Sequence, residues 1–463
     1  MNYRSDILAA LRSNVGPLWP PLVRGEAAEL AALLLVLEQT QRLSAQELAH
    51  RQSAQLALLL PHLAQQSAQF RARLAHAGLE VAALTDPERL RQLPLLSRRD
   101  LQVAPAHLHC RAVPTSHLPL GETSTSGATG EPITVRRSYV TQQFWRALNL
   151  RTQFNQGQNL AARCSAIRPH LAGYGVMTDS SALVDNLFIG GPLQTIPIET
   201  DIGQQVAYLA DFRPERLVVF PNNLAALTRY CQRHDQRLPD LRQIITLSET
   251  LSPAVRAAAT ATFDVQVFDM YSAQEVGMIA DQCPHSGLYH VSAETLIVEV
   301  VQEDGRACAE GESGRVVVTD LLNFATPVVR YALGDFAEVG GACGCGRGAP
   351  TLRRILGRAR NILVRPDGTR SWPTLGGAGF RAVAPINQYQ FVQRDRERVE
   401  LRLVSETPLT AAQEAQLTAV VQQAMGYPFH IDFSYFDQPL ARSAGGKFEE
   451  FINLLPPEII YDG

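Results

Sequence analysis

The sequence contains almost no lysine. Lysine and arginine together number 42, and Lys447 is the single lysine among them. The Walker phosphate loop, Gly-x4-Gly-Lys-Ser/Thr, is therefore excluded. Arginine stands at every other cationic position, and its planar guanidinium does not replace a compact ammonium group on a flexible stem. We interpret Lys447 as a functional residue; the alternative is a chance survivor of a coding bias toward arginine.

Long apolar runs and a strong net charge are also absent. Runs such as Ala31–Leu37 are far too short to span a bilayer. A net charge of −3 gives no electrostatic reason to expect a nucleic-acid partner. The first residues lack a basic stretch followed by an apolar segment, so we expect no secretion signal and a cytoplasmic location. Seven cysteines in 463 residues do not make a disulfide scaffold and suit a reducing compartment.

The pattern of apolar residues predicts an α/β fold with a helical N-terminal segment. Residues 1–100 place apolar side chains three and four positions apart, as amphipathic helices do. Between 110 and 290, short apolar runs such as 243–247 alternate with helical patterns, which is typical of a parallel sheet. Parallel sheets bind ligands at the carboxyl ends of their strands, where this sequence has polar stretches at 248–250 and 269–275.

Two further units complete the predicted organisation. Residues 295–350 contain β-rich segments separated by turns and predict a small β subdomain. A strand-like segment at 361–364 begins a compact α+β tail, so we place a domain boundary near residue 357. A large N-terminal domain then comprises residues 1–357, and a small α+β C-terminal domain comprises residues 358–463.

A loop rich in serine, threonine and glycine spans residues 123–130, ahead of the strand-like segment Ile133–Val135. Glycine lets a backbone approach a ligand closely, and clustered hydroxyl and N–H groups suit phosphate oxygens. The alternative is a flexible polar loop without a ligand. The loop indicates a phosphate site only if other motifs in the chain supply the remaining ligand-binding residues.

Five motifs occur in an order that resembles the adenylate-forming enzymes, the superfamily of acyl-CoA synthetases, adenylation domains and luciferases. Ser124–Gly130 resembles the phosphate-binding loop of that superfamily, and Tyr271–Glu275 its Tyr-x-x-x-Glu motif. Arg330–Asp335 is similar to its Tyr-Arg-Thr-Gly-Asp motif, Gly357–Arg358 to its hinge, and Gly445–Lys447 to its C-terminal catalytic Gly-Lys. Each motif is weak alone, but the ordered set is specific, and the similarity is greatest to the phenylacetate–CoA ligase branch.

The resemblance implies a role for each motif. The phosphates of ATP would be held by Ser124, Thr125, Ser126, Gly127, Thr129 and Gly130. The adenine, ribose and α-phosphate would be bordered by Ser248, Glu249, Thr250, Asp269, Met270, Tyr271, Ser272, Asp335 and Arg358. Glu275 would bind Mg²⁺, a hard cation that prefers carboxylate oxygen. Lys447 would stabilise charge on the reacting carboxylate and the α-phosphate. Glu275 and Lys447 are therefore the predicted catalytic residues.

Cys283, His290, Cys343 and Cys345 form a second predicted group. Thiolates and an imidazole in a set of four suit tetrahedral Zn²⁺ without an open position, which is a structural site. The segment from Cys283 to His290 resembles the Cys…Gly-Leu-His segment of zinc-bearing members of the same branch. Tyr289 is inserted ahead of the histidine in this chain, so His285 remains a rival ligand. The alternative is a set of free thiols near a loop.

The acyl pocket is assigned to segments 164–177 and 185–192. The predicted pocket residues are His170, Gly173, Tyr174 and Gly175. Small residues in these segments, Gly190 and Gly191 included, are expected to leave room for a ring.

Together these features predict a ligase that activates a carboxylic acid with ATP and Mg²⁺ as an acyl-adenylate and then transfers the acyl group to coenzyme A. By resemblance the acid is aryl or arylacetic, and a mobile C-terminal domain rotates between the half-reactions. The segment after Gly357–Arg358 lacks the acidic residue usual at the family's hinge, so transfer to an amine or another acceptor is the first alternative. A non-catalytic nucleotide-binding relative is the second. The expected partners are small molecules, without nucleic acid or membrane, and a homodimer is compatible with the sequence.

Replacing Lys447 by alanine is expected to abolish adenylation while leaving ATP binding measurable, because the ammonium group would act on the reacting oxygens. Acid-dependent ATP–pyrophosphate exchange and ATP binding, both measured on Lys447→Ala, separate the two effects. Exchange at the wild-type rate in this variant would contradict the assignment of the lysine.

Overall fold

The computed structural model describes residues 7, 10–15, 20–102, 105–124, 133–184, 186–358, 361–373, 380, 383–405, 407–443 and 446–456. Within these ranges no helix is both long and apolar enough to cross a membrane.

The N-terminal segment is helical, as its apolar spacing predicts. Its helices are α1 (Glu26–Thr40), α2 (Ala45–Gln66), α3 (Ala68–Ala77), α4 (Pro87–Leu90), α5 (Arg98–Gln102) and α6 (Pro105–Leu108), with 3₁₀ turns at Val81–Thr85 and Thr115–His117. Ser44 begins α2 with a capping box, in which its hydroxyl accepts from the Glu47 N–H and the Glu47 carboxylate accepts from the Ser44 N–H. Ser67 separates α2 from α3, where its hydroxyl accepts from the Phe70 N–H.

Strands and helices then alternate. The elements are β1 (Leu120–Ser124), β2 (Thr134–Ser138), α7 (Tyr139–Asn155), β3 (Cys164–Arg168), β4 (Gly175–Met177), β5 (Leu193–Pro197), α8 (Ile202–Phe212), β6 (Arg216–Val219), α9 (Pro221–Arg233), β7 (Gln243–Leu247), α10 (Pro253–Phe263), β8 (Gln266–Ala273), β9 (Gly277–Gln282), β10 (Tyr289–Val291), β11 (Leu296–Val301), β12 (Ser313–Asp320), β13 (Tyr331–Val339) and β14 (Thr351–Arg358), with a 3₁₀ turn at Ser181–Val184. β1 and β2 form a separate antiparallel pair.

A 12-stranded sheet runs through the N-terminal domain in the order β11-β12-β13-β14-β10-β9-β8-β7-β6-β3-β5-β4. In this order the five neighbouring strands β8, β7, β6, β3 and β5 are paired in parallel. The strands from β9 to β11 pair antiparallel and continue the same sheet, so the β-rich segment at 295–350 extends it. The predicted α/β class with a parallel sheet is confirmed.

Apolar side chains cover both faces of the parallel strands, as a buried parallel sheet requires. One cluster joins strand residues such as Ile244 to Leu224 of α9 and Phe263 of α10. A second cluster joins Met278 of β9 to Leu34 of α1 and Ala147 of α7. The helices therefore hold the carboxyl ends of β6, β7 and β8 at one fixed edge.

The C-terminal domain is α+β, as predicted. Its elements are β15 (Leu363–Val364), β16 (Arg370–Ser371), β17 (Ile386–Gln393), β18 (Arg398–Ser405), α11 (Ala411–Met425), β19 (His430–Phe436) and β20 (Phe451–Asn453). A four-stranded sheet, β19-β18-β17-β20, packs its apolar face on α11 through residues such as Phe391, Leu401 and Leu417.

Candidate active site

A cleft of about 220 Å³ opens at the carboxyl ends of the parallel strands, beneath the C-terminal domain. Many of the residues predicted from separate motifs line this one cleft: Ser248, Glu249, Thr250, Asp269, Met270, Tyr271, Ser272, Asp335, Arg358 and Lys447. The fold thus brings residues nearly 200 positions apart in the chain to one place.

A tyrosine and an arginine hold the Asp335 carboxylate on the floor of the cleft. The Tyr271 hydroxyl donates to Asp335 Oδ2 at 2.9 Å, and Arg358 Nε lies 3.5 Å from Asp335 Oδ1. Asp335 and Arg358 face each other because they are direct partners across β13 and β14. Burial, and then the Asp335 charge, raise the pKa of Tyr271 well above its usual value, so the phenol stays a donor. The Asp335 charge raises the pKa of Arg358 in turn.

The Ser248–Thr250 loop turns sharply after β7. Ser248 adopts a left-handed backbone conformation with φ of 71°, which is uncommon for a residue other than glycine and is often found at functional sites. The turn buries the Glu249 carboxylate, whose Oε2 accepts from the Asn222 N–H at 3.0 Å and from Asn222 Nδ2 at 3.1 Å. Burial raises the pKa of Glu249, although these hydrogen bonds and Arg442 oppose the increase.

The same carboxylate binds the C-terminal domain. Glu249 Oε1 accepts from the Phe448 N–H at 2.8 Å, and Asn222 Nδ2 donates to the Phe448 carbonyl at 2.9 Å. Arg442 adds a guanidinium 3.9 Å from Glu249 Oε1. The backbone immediately after Lys447 is therefore fixed to the sheet edge by residues that the motifs do not include, Asn222 and Arg442.

Lys447 stands at the end of a tight turn. The Ser443 hydroxyl accepts from the Lys447 N–H at 3.2 Å, and the Ser443 N–H donates to the Lys447 carbonyl at 2.8 Å. Gly446 has φ of 72°, and a Cβ on it would lie 2.4 Å from Pro169 Cβ. Glycine is therefore required before Lys447 for two reasons: the left-handed backbone conformation, and the close contact with the loop after β3.

Asp269 supports the cleft from within the sheet. Its Oδ1 accepts from Thr246 Oγ1 at 2.6 Å and its Oδ2 from the Tyr289 hydroxyl at 2.9 Å. Burial raises the pKa of Asp269 to about 6 against the effect of these hydrogen bonds. Both carboxylate oxygens are engaged by the protein, so the side chain joins β7, β8 and β10.

Glu275 lies in the turn between β8 and β9, close to two arginines. Its Oε1 is 3.4 Å from the Tyr331 hydroxyl and 3.8 Å from Arg98 Nη1. Arg137 reaches the same turn and donates to the carbonyl of Gln274. Neither arginine belongs to a motif, and nothing in this arginine-rich sequence distinguishes them from the others.

Ser124 ends β1, where the predicted phosphate loop begins. The other predicted loop residues, Thr125, Ser126, Gly127, Thr129 and Gly130, lie outside the described residues.

The predicted acyl-pocket residues do not line the central cleft. They lie in and before the edge strand β4, where Tyr174 stacks on Tyr208 with ring centroids 4.2 Å apart. His170 and Gly173 are exposed in the loop after β3.

The interpretation of Gly190 and Gly191 as room for a ring is wrong. A Cβ on Gly190 would lie 2.5 Å from the Ser180 backbone, and one on Gly191 would lie 2.2 Å from the Ala161 carbonyl oxygen. These glycines allow two backbone segments to pack against each other, so the space beside them is filled.

The four predicted metal ligands converge at the far end of β13 and β14. One ligand atom from each of Cys283, His290, Cys343 and Cys345 lies within 4.8 Å of all the others. Cys283 Sγ and Cys343 Sγ are 3.8 Å apart, and Cys345 Sγ is 3.4 Å from His290 Nε2. Tetrahedral Zn²⁺ with Zn–S bonds of about 2.3 Å separates two sulfur ligands by roughly 3.8 Å. The donor set and its spacing therefore fit zinc.

His290 belongs to this group, and His285 does not. His290 is fully buried on β10, whereas His285 is exposed in the preceding turn. The Tyr289 insertion is accommodated because Tyr289 turns to the opposite side and donates to Asp269. Burial raises the pKa of the Cys283 thiol, but hydrogen bonds from His290 and the turn outweigh it and lower the pKa to about 7.

Known proteins resemble this chain in sequence and in fold. No family model matches the chain. The sequence is similar to the phenylacetate-coenzyme A ligase of Thermus thermophilus, with 25% identity over 366 residues that cover 77% of this chain and 80% of the relative. It is also similar to the phenylacetate-coenzyme A ligase of Escherichia coli, with 24% identity over 339 residues, 71% of this chain and 75% of the relative.

Solved structures resemble the fold over most of its length. A 2-hydroxyisobutyryl-CoA ligase in the postadenylation state, in complex with 2-HIB-AMP, has a TM-score of 0.70 and 16% identity over 91% of this chain and 92% of that chain. The same ligase with 2-HIB-AMP and CoA in the thioesterification state has a TM-score of 0.58 and 18% identity over 89% of this chain and 90% of that chain. The predicted resemblance to adenylate-forming enzymes, and to phenylacetate–CoA ligases among them, is confirmed.

One acidic residue beside the cleft, Glu450, is expected to make the stability of the fold depend on pH. Glu450 lies between α9 and the C-terminal sheet, where Arg229 and Glu249 face it. Burial raises the pKa of Glu450 from 4.5 to about 7, with Arg229 opposing and Glu249 adding to the increase. A carboxyl group with a raised pKa in the folded state contributes stability that is present below pH 4.5 and is lost as the pH rises through about 7.

Glu450→Gln is expected to remove this loss, because the amide stays neutral at every pH. At pH 8 the variant should have a free energy of unfolding roughly 1–3 kcal/mol above that of the wild type, and the difference should vanish below pH 4.5. Urea unfolding across this pH range, with exposed Glu397→Gln as a control, provides the measurement. If the free energy of unfolding of Glu450→Gln depended on pH as that of the wild type does, the Glu450 carboxyl group would not be the cause of the loss and would have to be hydrated.

Proposed function

We propose that this protein is an AMP-forming carboxylic acid–CoA ligase, which makes an acyl-adenylate from ATP and passes the acyl group to coenzyme A. The observation that carries the proposal is the entry of Lys447, the single lysine of the chain, into the cleft that contains Tyr271, Asp335 and Arg358. A cation and an anchored carboxylate that line the same cleft suit a ligand with a phosphate and ribose hydroxyls.

In the first half-reaction, a carboxylate oxygen of the acid attacks the α-phosphorus of ATP. The new bond joins that oxygen to the α-phosphorus, and the bond to the β-phosphate oxygen breaks, so its electron pair leaves with pyrophosphate. The Lys447 ammonium stabilises the negative charge of the two groups as they meet. The Asp335 carboxylate accepts hydrogen bonds from the ribose hydroxyls, while Tyr271 and Arg358 fix the orientation of this carboxylate.

Glu275 is the proposed ligand for Mg²⁺, which would supply charge neutralisation on the phosphates when bound. Its environment fits this role, because the carboxylate lies in the turn after β8, and Arg137 of β2, the strand that follows the predicted phosphate loop, contacts that turn. Arg98 at 3.8 Å is too far to hold the carboxylate by a hydrogen bond, so Glu275 keeps lone pairs for a cation.

In the second half-reaction, the thiol of coenzyme A attacks the acyl carbon, and AMP leaves. Lys447 has completed its task by then, and the contact of Glu249 with the Phe448 backbone is the proposed release point of the C-terminal domain. The curated relatives are named for phenylacetate and coenzyme A, which makes an arylacetic acid the first substrate class to test.

We also propose that Cys283, His290, Cys343 and Cys345 bind one structural Zn²⁺. The support is the spacing of the donor atoms and the fully buried His290 ring, whose Nδ1 has no hydrogen-bond partner in the described part of the chain. A bound metal would fix this ring through Nε2. The site joins β9, β10 and the connection between β13 and β14, and four protein ligands would leave no open position for catalysis.

Acid-dependent ATP–pyrophosphate exchange without coenzyme A tests the adenylation step. We expect exchange with arylacetic or aryl acids, and AMP and the acyl-CoA thioester as products once coenzyme A is added. Exchange followed by acyl transfer only to an amine or another acceptor, and not to coenzyme A, would replace coenzyme A in the proposal. Release of ADP, or binding of ATP without exchange for any of the aryl, arylacetic and fatty acids, would contradict it.

Metal analysis of the purified protein is expected to give about one zinc per chain. Cys343→Ser should lose most of this zinc and lower the melting temperature by roughly 5 °C or more, because the other ligands are left without their fourth partner. Cys308→Ser, which changes a thiol outside the group, should keep the zinc and the stability. Equal zinc content in both variants would contradict the site.

A further inference from the structure

An aromatic residue that belongs to none of the motifs lines the candidate site. Trp372 follows β16 in the C-terminal domain and borders the central cleft together with Thr250 and Asp335. In the proposed function, Asp335 binds the ribose and Lys447 acts at the α-phosphate. The base of the nucleotide carries no charge, so its binding depends on apolar or aromatic surface in the same cleft.

Contacts within the protein hold the indole ring of Trp372 in place. The ring lies against the Phe336 ring of β13, with ring centroids 4.8 Å apart and an interplanar angle of 46°. The indole Nε1 donates to the Arg358 carbonyl oxygen at 3.4 Å. Both rings pack on a small apolar cluster, which consists of Ile362, Val364 and Leu455. The position of the indole is therefore set by the protein itself.

Gly357 brings the indole ring next to the loop that is predicted to border the adenine. A Cβ on Gly357 would lie 3.3 Å from Thr250 Oγ1 and 3.6 Å from Trp372 Cδ1, so the hydroxyl and the ring approach one point from two domains. Gly357 pairs with Phe336 across β13 and β14, and the neighbouring pair contains Asp335. The proposed ribose site and the indole thus border the same cleft one residue pair apart.

We propose that Trp372 packs its indole ring against the base of the bound nucleotide, beside Thr250, and thereby favours a purine. This inference rests on the proposed function for the identity of the nucleotide. A base attached to a ribose at Asp335 lies directly next to that sugar, where the indole ring and Thr250 meet. Aromatic side chains bind bases by stacking, and the two fused rings of a purine cover more of an indole than a pyrimidine ring does.

The same contact couples the nucleotide to the seating of the C-terminal domain. Trp372 belongs to that domain and Thr250 to the sheet edge, so a base that touches both joins them. The Glu249 carboxylate already accepts a hydrogen bond from the Phe448 N–H at this edge. The base adds an apolar contact to that polar one, and the nucleotide thereby stabilises the arrangement in which Lys447 lines the cleft.

Replacing Trp372 by leucine separates a contact with the base from a structural role, because leucine keeps an apolar side chain against Phe336 and removes the aromatic ring. Trp372→Leu should bind AMP roughly tenfold more weakly than the wild type, whereas its affinity for magnesium pyrophosphate, which has no base, should stay within about twofold. Trp372→Phe keeps an aromatic ring and should recover part of the AMP affinity. Isothermal titration with each ligand and no acid gives these values.

Intrinsic fluorescence gives a second readout, because a base that stacks on an indole ring changes the emission of that ring. Trp145 of α7, which lies beside Gly277, is the matched control among the three tryptophans of the chain. AMP should quench the emission of the wild type and of Trp145→Phe, and this quenching should be lost in Trp372→Phe. Magnesium pyrophosphate should quench none of the three proteins.

Equal losses of AMP and pyrophosphate affinity in Trp372→Leu would overturn the inference, because the indole would then support the cleft as a whole. Unchanged AMP affinity in this variant, or quenching by AMP that persists in Trp372→Phe, would overturn it as well. If the wild type binds no AMP, the proposed function fails together with this inference. If the wild type binds AMP and only the contrast at Trp372 is missing, this inference fails alone.

Discussion

The hydrogen bond from the Phe448 backbone to the Glu249 carboxylate is the contact on which the candidate site depends. It joins the sheet edge, through the sharp turn at Ser248, to the residue that follows Lys447. Because Asn222 uses its backbone N–H and its amide to hold the same two partners, the C-terminal domain is seated by a small polar network. Such a network is buried but contains few atoms, so it can be specific without being permanent.

The charged groups of the candidate site lie in three separate places. Asp335 is held as an acceptor by a phenol and a guanidinium, Lys447 enters from the C-terminal domain, and Glu275 stands between two arginines on the remaining side. Three different parts of the fold supply these groups: the β13–β14 pair, the C-terminal turn and the β8–β9 turn. In the proposed function, the ribose would meet the first of these groups, the reacting phosphate the second and the metal ion the third.

Sequence alone could predict the parts of the site that lie in contiguous motifs. The strands, the helices between them and the convergence of 248–250 with 269–272 followed from the apolar pattern and from the rule that parallel strands end at one edge. The four candidate metal ligands were predicted from residue type, spacing and family resemblance, and the structure places His290, not His285, beside the three cysteines.

Other parts could not be predicted, because their signal exists only in three dimensions. Arg98 and Arg137 are two among many arginines, and nothing near them in the sequence marks them as neighbours of Glu275. The partners of Glu249 lie 27 and 199 positions away. The prediction for Gly190 and Gly191 was wrong because the missing side chain of a glycine does not by itself leave a cavity. Here the backbone of another segment packs against each glycine.

The single lysine has a consequence for the chemistry of the protein surface. A chain that otherwise carries only guanidinium groups exposes one side-chain amine to acylating agents, aldehydes and amine-directed modifying enzymes, and that amine lines the cleft. Arginine is inert to these reagents at neutral pH because it stays protonated. Any amine-specific label on a side chain would therefore report on one position, and the extent of labelling would measure how accessible this position in the cleft is.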